Sequence, residues 1–168
     1  MDLSALTPLG ARAIDMWTDL AGHVPAELNR HQAIFVGGGN TFSLLHQLRA
    51  TGFDQALIGF VRQGGIVYGG SAGAIVMGRD IATSSHLDEN AVGLADTTGL
   101  DLLGGDSIWC HYRPADDGLI RAYVARTRSP TIALAETAGM WVRGPGQYVP
   151  LGSEGVYRFT PGGKQPLA

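Results

Sequence analysis

Short apolar runs alternate with amphipathic stretches through the first half of the chain. Ala33-Ile34-Phe35-Val36 is an apolar run that ends at Gly37-Gly38-Gly39-Asn40, which predicts a strand and a turn. Thr41 is placed to cap a helix beginning at Phe42, whose apolar residues recur at helical spacing as far as Leu48; Gly52 stops it. Residues 54–63 repeat the pattern as a second amphipathic helix, stopped by Gly64-Gly65. Ile66-Val67-Tyr68 is the next strand, and residues 72–78 the helix after it. Upstream, residues 12–17 (RAIDMW) read as a short strand, and Pro25 through Asn29 opens a helix with proline in its first turn. The order β-α-β-α, with connections of a few residues, predicts a parallel sheet covered by helices.

The second half is less regular. Arg79 to Gly105 is polar and turn-rich and reads as an excursion holding one or two short strands. Ser107 to Tyr112 (SIWCHY) is a strand, and residues 116–127 form a helix whose apolar positions are Leu119, Ile120, Tyr123 and Val124. Thr131-Ile132-Ala133-Leu134 is a strand that ends at Ala135-Glu136. Met140–Val142, Gln147–Pro150 and Val156–Phe159 alternate around Gly-Pro and Gly-Ser turns, which predicts a C-terminal antiparallel meander. The fold class is therefore α/β, a mostly parallel sheet with helices on both faces and a small antiparallel meander at its end. There is no internal repeat or linker, so 1–168 reads as a single domain.

Composition narrows the function classes. Hydrophobic residues make up 45% and charged ones 16%, which describes a globular chain. The formal net charge is −3 with no long run of one sign, which argues against a nucleic-acid or membrane-surface partner. A single cysteine, Cys110, excludes an internal disulfide. No basic, then apolar, leader opens the sequence, and no apolar run approaches 18 residues. A cytoplasmic protein is the expectation.

The candidate chemistry starts at Gly69-Gly70-Ser71-Ala72-Gly73. Gly69-x-Ser71-x-Gly73 matches a nucleophile elbow in its strand–turn–helix context. A sharp turn lifts the serine to the carboxyl edge of the sheet, and the Ala72 amide can face an oxyanion. A glycine-rich corner in which Ser71 only caps the helix fits the same pentapeptide. A nucleophilic serine needs a base, and the base an orienting group. Of five histidines, His23 and His31 lie beside polar turns and His46 sits mid-helix, whereas His111 ends an apolar strand. Cys110 is its neighbour, faces the opposite way on a strand and reads as core. Glu136 ends a third strand. In a parallel sheet the carboxyl ends of strands share one edge, so Ser71, His111 and Glu136 are expected to meet there. The Gly37-Gly38-Gly39 turn ends a fourth strand at that edge. Phe42 stands where the last glycine of G-x-G-x-x-G would be, so a second oxyanion amide is its better use.

VGGGNTF (36–42), GGSAGA (69–74), WCHY (109–112) and IALAE (132–136), in that order, resemble peptidase family S51. This is the peptidase E or aspartyl dipeptidase group of the class I glutamine amidotransferase-like superfamily. The resemblance implies a Ser-His-Glu triad of Ser71, His111 and Glu136, with oxyanion amides at Gly39 and Ala72. It implies a serine peptidase acting on small peptides, including dipeptides with N-terminal aspartate, with no cofactor and no metal. Asn40, His86 and Arg113 are the candidate substrate contacts. Two departures bear on it. Members usually have one more strand and helix at their start; a sheet lacking them exposes pairing groups, so a homodimer or a rearranged edge is expected. Dipeptidase members also carry an aspartate fifteen residues after the nucleophile, and here that place holds His86. A binding module that has lost catalysis, and a hydrolase of another small acyl substrate, stay open as alternatives.

Overall fold

Strands and helices follow one another in the first half where the apolar pattern puts them. The computed structural model describes residues 13–167. Strand β1 (Ala33–Val36) leads into helix α1 (Thr41–Thr51), helix α2 (Phe53–Arg62), strand β2 (Ile66–Gly69) and the short helix α3 (Ala72–Ile75). β1 and β2 pair in parallel, Ala33 opposite Ile66 and Val36 opposite Gly69. Gly52 takes the left-handed conformation (φ +78°) that ends α1 and starts α2 at once. The helices bury Phe42, Leu45, Leu48, Phe53, Leu57 and Phe60 against one face of the pair.

The second half forms a mixed sheet in the order β3 (Ser107–Trp109), β4 (Thr131–Leu134), β7 (Val156–Thr160), β8 (Gly163–Pro166). β3 and β4 are parallel, while β4–β7 and β7–β8 are antiparallel. Helix α4 (Asp117–Thr127) buries Ile120, Tyr123 and Val124; Leu119, expected on that face, is 54% exposed. Strands β5 (Ala138–Gly144) and β6 (Gln147–Gly152) make a separate antiparallel hairpin. It is tied down by Asp106, which is buried and accepts from Tyr148 (Oη to Oδ2, 2.5 Å) and from Arg158 (Nε to Oδ1, 2.9 Å).

Several expectations are corrected. Among the described residues two strand pairs are parallel and three are antiparallel, so the sheets are not mostly parallel. The C-terminal strands form no single meander: β6 and β7 do not pair, because β7 crosses to β4, where its Val156 and Phe159 are buried. Residues 13–17 are not a strand; residue 12 lies outside the described residues. Trp17 instead stacks on His23 (centroids 3.9 Å apart) and meets Phe53 edge-on, so burial of the indole overrides extension. Asn40, not Thr41, caps α1: its Oδ1 accepts from the Ser43 amide at 2.9 Å. α3 ends at Ile75 rather than residue 78, since the Val76, Met77 and Gly78 carbonyls accept from Leu100, Leu102 and Asp101. The excursion 79–105 holds a 3-10 turn (Ile81–Ser84) and an isolated bridge from Asp80 to Thr98 rather than strands.

Candidate active site

Residues that follow three strands supply the site. Ser71 follows β2 at φ +52°, ψ −116°, and no side-chain hydrogen bond from it caps α3. The hydroxyl is thus free of the capping role that the pentapeptide alone also allowed. The turn at Ser71 is this tight because three positions have no Cβ. A Cβ at Gly73 would lie 2.0 Å from the Val36 carbonyl oxygen, and one at Gly69 2.5 Å from the Gly73 oxygen. One at Gly38 would come within 3.3 Å of the Ser71 Cβ. Glycine therefore lets helix, strand and loop close to contact around the serine.

His111 lies beyond β3, which stops at Trp109. It takes φ +56°, in the left-handed region that non-glycine residues avoid. The turn delivers the imidazole: Ser71 Oγ is 2.9 Å from His111 Nε2, and His111 Nδ1 is 2.6 Å from Glu136 Oε2. A carboxylate only accepts, so Nδ1 carries a proton, and in the neutral ring Nε2 then presents its lone pair to the serine hydroxyl. Ser71 Oγ then donates to Nε2. This is the donor–acceptor order of a nucleophile, base and orienting acid. The His111 and Glu136 side chains are 43% and 73% exposed, so the pair sits in a solvent-open cleft.

Cys110, next in sequence, is buried, as expected, although the strand argument for it fails because β3 has already ended. Its Sγ contacts the Ser71 carbonyl oxygen at 3.6 Å. Burial, aided by the Glu136 charge, pushes its thiol up to about 12, so it stays protonated and inert beside the serine.

The cleft beside His111 has a volume of about 250 Å³, and His86, Arg113 and Glu136 are among its walls. His86 stacks on buried Trp109 with centroids 4.0 Å apart, and its Nδ1 donates to the Thr83 carbonyl at 3.0 Å. Among the described residues its Nε2 makes no hydrogen bond. Asn40 is used elsewhere: besides capping α1, its Nδ2 donates to the Glu89 carbonyl at 2.8 Å. Gly39 has φ +136°, and among the described residues neither its amide nor that of Ala72 donates to a protein acceptor. Since α3 is only four residues long, its dipole adds little, and the Ala72 amide itself is the feature of interest.

Three residues escaped the sequence reading. Asp88 accepts from both the Thr41 amide (2.9 Å) and the Thr41 hydroxyl (2.5 Å), clasping the excursion onto the glycine loop. Gly38, not Gly39, is the residue against Ser71. Glu154 accepts from the Thr137 hydroxyl (2.7 Å) and amide (2.8 Å) and lines the cleft; these two hydrogen bonds, the hydroxyl's first, hold its carboxyl below the ordinary value. The glycine run was a signal for Gly38; nothing local marks Asp88 or Glu154, whose partners are distant in sequence. Among the described residues no group of three or more His, Cys, Asp or Glu side chains could hold a metal ion, and no helix is long and apolar enough to cross a membrane.

A model of peptidase family S51 matches residues 4–147. An uncharacterized peptidase of Listeria monocytogenes serovar 1/2a is 34% identical over 103 residues, covering 59% of this chain and 50% of its own. Peptidase E of Streptomyces coelicolor is 31% identical over 153 residues, 84% of this chain and 60% of its own. The crystal structure of a candidate peptidase E protein from Listeria monocytogenes EGD-e superposes with a TM-score of 0.71 at 26% identity, over 90% of this chain and 75% of that one. The chain spans about half the length of the curated relatives it matches.

Proposed function

This chain belongs to peptidase family S51, and from that premise we propose that it is a serine-type peptidase acting on small peptides through Ser71, His111 and Glu136. The observation that carries the reading is the relay from Ser71 Oγ to His111 Nε2 at 2.9 Å and from His111 Nδ1 to Glu136 Oε2 at 2.6 Å. Ser71 Oγ attacks the peptide carbonyl carbon as its proton passes to His111 Nε2. The Gly39 and Ala72 amides hold the oxyanion, a role supported by the closeness of the adjacent Gly38 to Ser71. The tetrahedral species collapses, the C–N bond breaks, and the Nε2 proton goes to the leaving amine. Water, deprotonated by His111, then releases the acyl group from Ser71. Glu136 orients the ring and stabilises the imidazolium throughout.

The substrate reading is a dipeptide or similarly short peptide. Arg113 is the cationic side chain on the cleft wall and would meet a substrate carboxylate. N-terminal aspartate is the first substrate to try, with His86 standing where dipeptidase members carry aspartate. The parallel pairs β1–β2 and β3–β4 support a class I glutamine amidotransferase-like arrangement in one domain. One observation favours a catalytically weak binding module instead: Glu136 is 73% exposed, where water and salt weaken its hold on His111.

Labelling by a small phosphonyl fluoride separates the two. An adduct on Ser71 that is absent in Ser71→Ala and strongly reduced in His111→Ala is expected of the peptidase. No adduct under any condition leaves the binding module. A dipeptide panel varied at its first residue then tests specificity; equal cleavage of Asp-X and Ala-X would remove the aspartyl assignment alone.

A further inference from the structure

The residue after His111 is held by groups far along the chain. Tyr112 is 5% exposed. Its amide donates to the Leu134 carbonyl at 2.9 Å. Its hydroxyl donates to Asp117 Oδ1 at 2.7 Å and accepts from Lys164 Nζ at 2.5 Å. Lys164, on β8, also reaches Asp117 Oδ1 and Oδ2 at 3.0 and 3.3 Å. Its ammonium lies 5.0, 4.3 and 5.5 Å from the ring centroids of Tyr112, Tyr157 and Phe159, within cation–π range of all three. Burial disfavours this ammonium, yet the hydrogen bonds with Tyr112 and Asp117 outweigh it and hold the lysine above its ordinary value. Lys164 lies beyond residue 147, where the family match ends.

His111 has reason to need such an anchor. Its left-handed backbone costs roughly 1–2 kcal/mol for a residue with a Cβ and persists only where its surroundings enforce it. On one side Cys110 is buried against Ser71; on the other, Tyr112 is pinned at both its amide and its hydroxyl. If Tyr112 shifts, the turn relaxes and the imidazole leaves the 2.9 Å contact with Ser71.

We propose that Lys164 is a positioning residue for His111: with Asp117 it clamps the Tyr112 hydroxyl and so holds the imidazole between Ser71 and Glu136. The inference rests on the reading of those three residues as the reacting group. It couples the last hairpin of the chain to a triad whose members all come earlier.

Lys164→Met keeps the stem against the three rings and removes the ammonium; Lys164→Arg keeps a cation. Two readouts apply to both: the rate of Ser71 phosphonylation, and the low-field proton resonance of the His111 Nδ1–H bonded to Glu136. In Lys164→Met labelling should slow by roughly tenfold or more, as a small displacement of a reacting group does, and the low-field signal should broaden or vanish. Lys164→Arg should keep the signal and recover most of the rate. If Lys164→Met melts earlier but labels at the wild-type rate with its signal intact, the lysine is structural only and the proposal fails. Should that variant not fold, Tyr112→Phe deletes only the clamped hydroxyl, and the same two readouts decide: slowed labelling supports the clamp, and a wild-type rate with the signal intact overturns it. Wild-type labelling in His111→Ala is a different failure: it removes the triad reading, and the clamp's purpose with it.

Discussion

The parallel pairs β1–β2 and β3–β4 are built in opposite ways. Every residue of β3 and β4 is buried. In β1 and β2 only alternate residues turn inward, and Phe35, Ile66 and Tyr68 are 41%, 65% and 63% exposed. Phe35 and Tyr68 stack across the strands on that outer face, centroids 5.2 Å apart. Parallel strands are ordinarily covered on both faces; among the described residues this pair is covered on one. Yet β2 leads to Ser71, as β3 and β4 lead to His111 and Glu136. His111 and Glu136 are thus placed by a packed core, and Ser71 by backbone-to-backbone contact at glycines. The outer face of the first sheet therefore tolerates loss of side-chain surface, while the glycine contacts at its end do not tolerate the gain of a Cβ; the buried second sheet does not tolerate the loss.

Gly73→Ala strikes that contrast hardest. The new Cβ would meet the Val36 oxygen at 2.0 Å and the Gly37 oxygen at 2.8 Å, both backbone atoms that no rotamer change can move. A loss of about 3 kcal/mol or more is expected, a fall in thermal midpoint of roughly 6–12 °C for a chain of this size. Ile132→Ala, in the buried sheet, should cost about 2–5 kcal/mol by leaving a cavity. The two differ in the molecules that remain folded: Ser71 in Ile132→Ala should label near the wild-type rate, and in Gly73→Ala it should not. Equal labelling would mean that the glycine contacts stabilise the fold without shaping the elbow.

The same division explains what was legible in the sequence. Helix periodicity and glycine stops located α1, α2 and α4, because side-chain pattern and local backbone preference act within a few residues. That Ser71, His111 and Glu136 come together could be expected because each follows an apolar run that ends in a turn at one sheet edge. The assembly of strands into sheets could not. β7 pairs with β4 rather than β6 because burial of Val156 and Phe159 decides it, and that is a long-range fact. The clasp from Asp88 to Thr41 spans 47 residues, and the Lys164–Tyr112 contact 52. Polar residues in such contacts look like any solvated residue until the fold brings them together.

Cys110 sits on the seam between the regions, its thiol against the Ser71 carbonyl. Its folded value, about 12, lies above the ordinary 9.0 of a thiol because burial, and then the Glu136 charge, disfavour the thiolate. The sign follows. A raised value means that the folded state keeps a proton the unfolded chain gives up. The contribution is complete below about pH 9 and is lost as pH climbs from there toward 12. By pH 10 roughly 1 kcal/mol should be gone in the wild type relative to Cys110→Ala, measured as the difference in urea midpoints between pH 8 and pH 10. Parallel pH dependence in the two proteins would mean that the thiol is hydrated, and that the seam is not packed.

The smallest effect is expected on the outer face of β1–β2. Replacing Phe35 and Tyr68 together by threonine keeps strand preference and removes the exposed aromatic pair. Substitutions at exposed positions usually lie within about 0.5 kcal/mol of neutral, and the lost cross-strand pair adds about 0.2–1 kcal/mol. The thermal midpoint should therefore move by no more than a few degrees. Light scattering on wild type and variant at micromolar concentration reads the same face from outside. An unchanged mass with an unchanged midpoint means that these rings meet only water. A mass that falls in the variant means that copies of the chain meet across them, as the homodimer expectation requires. A loss of stability as large as that of Ile132→Ala, at constant mass, would show that the face is covered within the chain itself, and the contrast between a half-bare sheet and a buried one would then disappear.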